Sequence, residues 1–246
     1  MTDVARLVAL IRERGPCVVL TGAGVSTESG IPDFRSATGL WARFDPYDYG
    51  SIESFRENPA RIWEFYGPRL GMLADAEPNA AHLALAELER LGFVEAVVTQ
   101  NIDLLHERAG SLSLVEVHGS IRTSSCLRCG DVVPLRRVLE LLPVPRCETC
   151  EAVLKPDVVM FGELLPEGAI ERALALAAGT RLLLAVGSSL EVYPVAGLPL
   201  ETLAAGGAFA IVNRGPTGLD DRASLKLDAS AGETLAAVLA ELASHA

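Results

Sequence analysis

Five short apolar runs, Cys17–Leu20, Val94–Thr99, Val158–Phe161, Leu182–Val186 and Phe209–Val212, recur along the chain. They are rich in β-branched and aliphatic residues, the composition of strands buried on both faces. Several are separated by stretches with apolar side chains at steps of three and four: Pro59–Leu73, Asn79–Leu91, Pro166–Ala178 and Gly232–Ala243, after an amphipathic first helix in MTDVARLVALIRERG. Strands alternating with helices predict an α/β fold, with a parallel sheet covered by helices on both faces. A length of 246 residues allows one large domain carrying inserted modules.

Half of the residues are apolar and 22% are charged, an ordinary globular balance. The net charge of -11 argues against a surface that neutralises phosphates, so nucleic acid is not an expected partner. A basic ligand or a cationic protein tail fits such a charge better. No apolar run reaches the roughly 18 residues needed to cross a bilayer, and the N-terminal stretch does not read as a signal peptide. The expected location is the cytoplasm, without membrane partners.

The segment from about 123 to 154 has a different character, holding Cys126-Leu-Arg-Cys129 and Cys147-Glu-Thr-Cys150 among several prolines. Paired Cys-x-x-Cys turns 17 residues apart match a four-cysteine zinc ribbon. Four thiolates complete a closed tetrahedral shell, so one zinc ion there holds structure and does no chemistry. Two redox dithiols, or a ribbon that reads nucleic acid, are the alternatives; the intervening GDVVPLRRVLELLPVPR has no aromatic residue for base stacking. Cys17, inside an apolar run, reads as a small buried hydrophobe.

The run ending at Leu20 feeds Gly22-Ala23-Gly24-Val25-Ser26. A strand followed by Gly-x-Gly brings backbone N–H groups close to phosphate, with the next helix N-terminus adding positive potential. Thr27 stands where the G-x-G-x-x-G pattern needs Gly or Ala, so the turn alone fits either a nucleotide site or a purely structural bend.

The longer string Gly22-Ala-Gly-Val-Ser-Thr-Glu-Ser-Gly-Ile-Pro-Asp-Phe-Arg35 resembles the NAD-binding signature of the sirtuins. The resemblance continues in order through Thr99-Gln-Asn-Ile-Asp103, His118-Gly119, the paired cysteines, Lys155-Pro-Asp-Val-Val-Met-Phe-Gly-Glu163, Gly187-Ser-Ser-Leu190 and Val212-Asn213. It implies a Rossmann-like NAD-binding domain with a small inserted zinc-ribbon module at about 123–154 and a helical insertion at about 36–85. It also implies NAD-dependent removal of acyl groups from protein lysine, yielding nicotinamide and O-acyl-ADP-ribose.

By that resemblance Gly22, Ala23 and Gly24 bring backbone to the cofactor's diphosphate, Phe34 and Arg35 belong to the loop closing over the nicotinamide ribose, and Ser26, Trp41 and Ile102 are further cofactor-binding residues. Gln100, Asn101 and Asp103 meet ribose and carboxamide groups. Gly187, Ser188 and Ser189 hold phosphate and ribose, Asn213 the adenosine ribose, and Ala231 the adenine. His118, with Asn101, is the catalytic candidate, since an imidazole with pKa near 6.5 is suited to taking a proton from a ribose hydroxyl. His82, His106 and His245 read as structural or exposed.

The acylated-lysine protein substrate is expected as an added strand against Phe161-Gly162-Glu163 and Ser189–Val192. Tyr66 and Arg69, three apart in Trp63-Glu-Phe-Tyr-Gly-Pro-Arg69, resemble the Tyr-x-x-Arg pair of class III sirtuins, which implies acyl groups ending in a carboxylate, succinyl or malonyl. Gly67 and Pro68 oppose a helix there, so the two converge either from one helical face or from a turn. Plain deacetylation, mono-ADP-ribosyl transfer and non-enzymatic NAD binding are the competing expectations.

Overall fold

The computed structural model describes residues 2–244, so His245 lies outside the described residues. The strands are β1 (Cys17–Thr21), β2 (Val94–Thr99), β3 (Leu114–Glu116), β4 (Gly119–Ser125), β5 (Val132–Pro134), β6 (Lys155–Val158), β7 (Leu182–Val186), β8 (Ala208–Val212) and β9 (Leu225–Leu227). The α-helices are α1 (Asp3–Arg14), α2 (Pro46–Gly50), α3 (Ile52–Glu57), α4 (Pro59–Asp75), α5 (Ala80–Arg90), α6 (Leu105–Ala109), α7 (Leu135–Glu140), α8 (Glu167–Gly179), α9 (Leu198–Ala204) and α10 (Ala231–Ala243).

Six strands form one parallel sheet in the order β3-β2-β1-β7-β8-β9. Alternation along each strand divides the core. Cys17, Val19, Leu182, Leu184, Ala208 and Ala210 pack under α1, α5 and α10, whereas Val18, Leu20, Leu183, Ala185, Phe209 and Ile211 pack under α8 and α9. Every residue of β1, β7 and β8 is buried, as a doubly covered sheet requires. The Rossmann-like expectation holds. Cys17 is fully buried, and burial pushes its thiol up to about 12.

The chain builds β1 to β3 outward in one direction and then returns to lay β7 on the other side of β1. The carboxyl ends of β1 and β7 therefore open a crevice at the reversal point, where open α/β sheets bind ligands. Gly22 follows β1 there and Gly187 follows β7. The expected helix after the glycine turn is instead a seven-residue 3-10 run, Ala23–Ser29, stopped by Gly30 at φ 83. So short a run has little macrodipole to offer, and the close approach of backbone carries more weight there.

A second core lies beyond the sheet. Ile52, Phe55, Ile62, Trp63, Leu70 and Leu73 of α3 and α4 pack against Ile121, Val138, Leu154, Val158 and Met160. The helical and cysteine-bearing segments thus share one core, tied further by the Trp63 indole N–H donating to the Leu154 carbonyl at 2.7 Å. Helix α5 packs against the sheet instead, so residues 80–85 leave the helical insertion and join the larger lobe.

Two local expectations are corrected. The run Val158–Phe161 gives no strand to the parallel sheet: β6 ends at Val158, pairs antiparallel with β4 in the small sheet β5-β4-β6, and Phe161 makes only a single bridge to Ser51. Its backbone donors go elsewhere, Val159 to the His118 carbonyl and Phe161 to the Gly50 carbonyl, before Gly162 turns the chain at φ 86. Helix α4 runs unbroken through Gly67 and Pro68. Pro68 lies on the exposed face, and burial of Ile62, Trp63, Phe65, Leu70 and Leu73 on the other outweighs one missing N–H donor.

Candidate functional site

A cleft of about 1130 Å³ lies between the two lobes at the carboxyl ends of the strands. Gly22, Ala23, Gly24 and Ser26 line it, as do Phe34, Arg35, Trp41, Tyr66, Arg69, Gln100, Asn101, Ile102, Asp103, His118, Phe161, Gly162, Gly187, Ser188, Ser189 and Asn213. Residues scattered over nearly two hundred positions are thus brought to one wall-and-floor arrangement. Of the cofactor candidates only Ala231 stands apart, buried at the start of α10 in an adjoining pocket shared with Gly24 and Asn213.

The glycines are dictated by contact between the two crevice loops. A Cβ on Gly24 would lie 2.8 Å from the Gly187 backbone, and one on Gly22 would lie 2.9 Å from the Gly187 carbonyl and the Ser188 Cβ. Gly187 itself has φ 60, and its own Cβ would lie 2.2 Å from the Val25 nitrogen. Side chains there would force the loops apart and close the crevice floor.

Beneath the loops lies a closed hydrogen-bond network. The Ser26 hydroxyl donates to Asp103 Oδ2 at 2.7 Å and accepts from Asn101 Nδ2 at 3.0 Å; Asn101 Nδ2 also donates to the Gly22 carbonyl at 3.2 Å. The other Asp103 oxygen caps α6 through Leu105 N–H. Asn101 therefore spends its amide donors on the protein and keeps Oδ1 as an acceptor, while Ser26 acts by fixing Asn101 and Asp103. Gln100 Nε2 reaches Ser188 Oγ at 2.9 Å, linking the ends of β2 and β7.

His118 lies in the short link between β3 and β4, directly before Gly119, with Nδ1 3.1 Å from the Gln100 carbonyl. Nδ1–H donates there, which leaves Nε2 as the unprotonated nitrogen of the neutral ring. Burial lowers its pKa below the usual 6.5, and the bond to Gln100 opposes that only in part. The neutral form, able to accept a proton, is the prevailing one at pH 7.

Across the cleft the wall is aromatic. Trp41 stacks on Phe65 at 5.7 Å and tilts against Phe34 at 5.2 Å and Phe161 at 6.3 Å. The Arg69 guanidinium lies 3.9 Å from the Phe65 ring centroid and 4.8 Å from that of Phe44, and donates to the Phe65 carbonyl. Burial and the neighbouring Arg43 lower its pKa, and no carboxylate among the described residues pairs with it. Burial pushes the Tyr66 phenol above its ordinary range, so it stays a hydrogen-bond donor.

The four cysteine sulfurs lie within 4.8 Å of one another. Cys126 and Cys150 approach to 3.4 Å, and Cys129 and Cys147 to 3.5 Å, too far for disulfides. A tetrahedral zinc–thiolate shell with bonds of about 2.3 Å sets sulfurs about 3.8 Å apart. The donor set fits one structural zinc ion, and the Asp131 carboxylate stands beside it, accepting from Cys147 Sγ at 3.3 Å.

The Sir2 family model matches residues 22–194. The chain belongs to the Sir2 family. The NAD-dependent protein deacetylase of Caldivirga maquilingensis is 49% identical over 92% of this sirtuin and 88% of the relative. NAD-dependent protein deacylase 2 of Archaeoglobus fulgidus is 42% identical over 98% and 96%. A solved Sir2 variant with deacetylated p53 peptide and 3'-O-acetyl-ADP-ribose superposes with a TM-score of 0.94 at 39% identity, covering 98% of each chain.

Sequence reading missed several residues that build this sirtuin's site. His82 and His106 are fully interior: His82 Nδ1 accepts from the Asn79 N–H, its Nε2 lies 3.4 Å from Ser26 Oγ, and His106 Nε2 lies 2.9 Å from Thr21 Oγ1. Burial lowers their pKa values to about 4 and about 3, so both support the network as neutral rings. Asn79 with His82 three residues on is a capping-box spacing, the one sequence signal available. Glu28, which accepts from Ser230 Oγ and Gly232 N–H, ties the glycine loop to α10 beside Ala231. Arg35 pairs with Glu191 at 3.1 Å, holding the Phe34 loop against the far crevice edge.

Proposed function

We propose that this chain favours lysine acyl groups ending in a carboxylate, succinyl and malonyl before acetyl. NAD-dependent protein-lysine deacylation itself follows from its place among the sirtuins. NAD suits the cleft: the volume is ample for a dinucleotide, the glycine loops meet at the crevice floor, and Gln100, Asn101, Ser189 and Asn213 offer polar groups along it. When bound, NAD supplies a ribose carbon with nicotinamide as leaving group and ends as the acyl acceptor.

The chain's own residues do the rest. His118 Nε2 takes the proton of a ribose hydroxyl, and the Gln100 carbonyl holds the ring in the tautomer that makes this possible. Asn101 Oδ1, fixed through Ser26 and Gly22, accepts from a hydroxyl of the ligand. Trp41, Phe34 and Phe161 exclude water around the reacting carbon. The peptide backbone pairs with Phe161-Gly162 on one side and with the segment after Ser189 on the other.

The acyl preference rests on Arg69. A half-buried guanidinium with no carboxylate partner, in a protein with 32 acidic residues, is poised for an anion from the substrate. Continuous α4 places Tyr66 on the same face, its phenol protonated and able to donate to that anion. The experiment is deacylation of matched acetyl-, malonyl- and succinyl-lysine peptides by the native protein and Arg69→Met. Selective loss of desuccinylation, about 10- to 100-fold, is expected for one charged hydrogen-bond partner. An equal loss on acetyl-lysine defeats the preference, and nicotinamide release without acyl peptide favours ADP-ribosyl transfer.

A further inference from the structure

Only two of the chain's 21 basic residues are lysines, and one of them, Lys155, is buried beneath the cleft wall at 6% exposure. Its ammonium donates to the Pro156 carbonyl at 3.1 Å, the Val158 carbonyl at 2.9 Å and Glu163 Oε2 at 2.9 Å. Three donors meet three acceptors, which is the full capacity of an ammonium. A planar guanidinium has its donors in a fixed fork and does not fit three acceptors gathered around a point. In a chain that otherwise uses arginine almost throughout, this position calls for lysine.

What the ammonium holds is the loop from Val159 to Glu163. Glu163 Oε2 also accepts from the Met160 N–H at 2.9 Å, and the Glu163 N–H donates back to the Met160 carbonyl at 3.0 Å. Val159 N–H donates to the His118 carbonyl at 2.8 Å, and Phe161 exchanges two backbone bonds with Gly50 and Ile52 of the small lobe. Lys155 thus grips both ends of a loop that touches the backbone of His118, lines the cleft and bridges to the helical segment.

We propose that Lys155 is the positioning residue of the acyl-peptide strand. Through Glu163 and the Val158 carbonyl it fixes Phe161 and Gly162 in the register that an incoming peptide pairs with, without touching substrate or NAD itself. This rests on the reading that the peptide pairs with Phe161-Gly162. A buried cation held this way makes the loop preformed, so the peptide does not bear the cost of ordering it.

The test uses the full-length, zinc-loaded protein and three readouts: KM for an acyl-lysine peptide, Kd for NAD, and amide hydrogen exchange across 159–163. Lys155→Met is expected to raise peptide KM at least tenfold, leave NAD Kd within twofold, and speed exchange in the loop while β1, β7 and β8 keep native protection. Glu163→Gln, which retains an acceptor for Met160, shifts the same readouts in the same direction by less, and it decides the matter where Lys155→Met does not fold. Unchanged peptide KM and loop exchange in either folded variant overturn the proposal, as does a loss of NAD affinity as large as the loss of peptide affinity. A native protein that binds no acyl peptide defeats the pairing reading alone, because loop exchange still reports whether Lys155 holds the loop.

Discussion

The two walls of the cleft are satisfied in different ways. On the sheet side Ser26, Asn101, Asp103, His82, Thr21 and Gln100 answer one another's hydrogen bonds within the protein. On the small-lobe side two sets of groups are answered less fully: of the four gathered thiols only Cys147 donates to a side chain outside the group, Asp131 Oδ2 at 3.3 Å, and Arg69 rests on aromatic rings with no carboxylate partner among the described residues. The sheet side is specified by the chain itself. The other side is completed by what it binds, a metal ion for the fold and, on our reading, an anionic acyl group for the reaction.

The largest effect that bears on this contrast is metal removal. Structural zinc contributes about 10–16 kcal/mol to small metal-folded domains, far more than the core shared by α3, α4 and the cysteine segment has in reserve. Chelation, or Cys147→Ser, is expected to abolish deacylation and to raise hydrogen exchange across β4–β6, leaving protection in β1, β7 and β8. Equal collapse of both lobes, followed by exchange, erases the distinction drawn here.

Next in size is the loss of the proposed proton acceptor. His118→Ala is expected to lower kcat for deacylation by roughly 10²–10⁴-fold, the usual range for a positioned acid–base group, with NAD affinity little changed. The ring's one recorded bond is to the Gln100 carbonyl, so its removal leaves the Ser26 network whole. A variant retaining more than a tenth of native kcat removes His118 from the chemistry.

How far such contrasts are legible in sequence depends on the range of the interaction. The parallel sheet, the glycine turn and the metal site were readable because strand alternation, φ freedom and Cys-x-x-Cys spacing are local properties of a few neighbouring residues. Pro68 misled for the same reason: its local preference is real, but burial of Trp63 and Leu70 against distant segments decides the outcome. His82 and His106 were invisible as support for the site because their partners lie 56 and 85 residues away. Val158–Phe161 was misplaced in the parallel sheet because an apolar run has the same composition whether it joins that sheet, ends an antiparallel strand or lines a cleft.

Those two histidines give the sheet side its own weak point. Their folded pKa values, about 4 and about 3, lie below the unfolded value near 6.5. The unfolded chain therefore takes up protons first, so stability is complete above pH 6.5 and is lost as pH falls toward 4 and 3. From pH 7 to pH 5 the loss is roughly 2 kcal/mol per histidine. Denaturant unfolding at the two pH values measures it, and a flat profile rules out neutral buried rings.

The smallest expected effect is on the reaction itself. His118 also has a folded pKa below 6.5, so the acid limb of kcat/KM falls on the low side of that value. Lowering pH from 7.5 to 6.5 then removes less than half of the maximal rate, since more than half of the rings remain able to accept a proton. The limb belongs to His118 and not to the carboxylate of the acyl group, whose titration lies further down. Acetyl- and succinyl-lysine peptides therefore share one acid limb although they differ in dependence on Arg69. Different limbs for the two substrates transfer the titration to the acyl side of the cleft and break the division of labour between its walls.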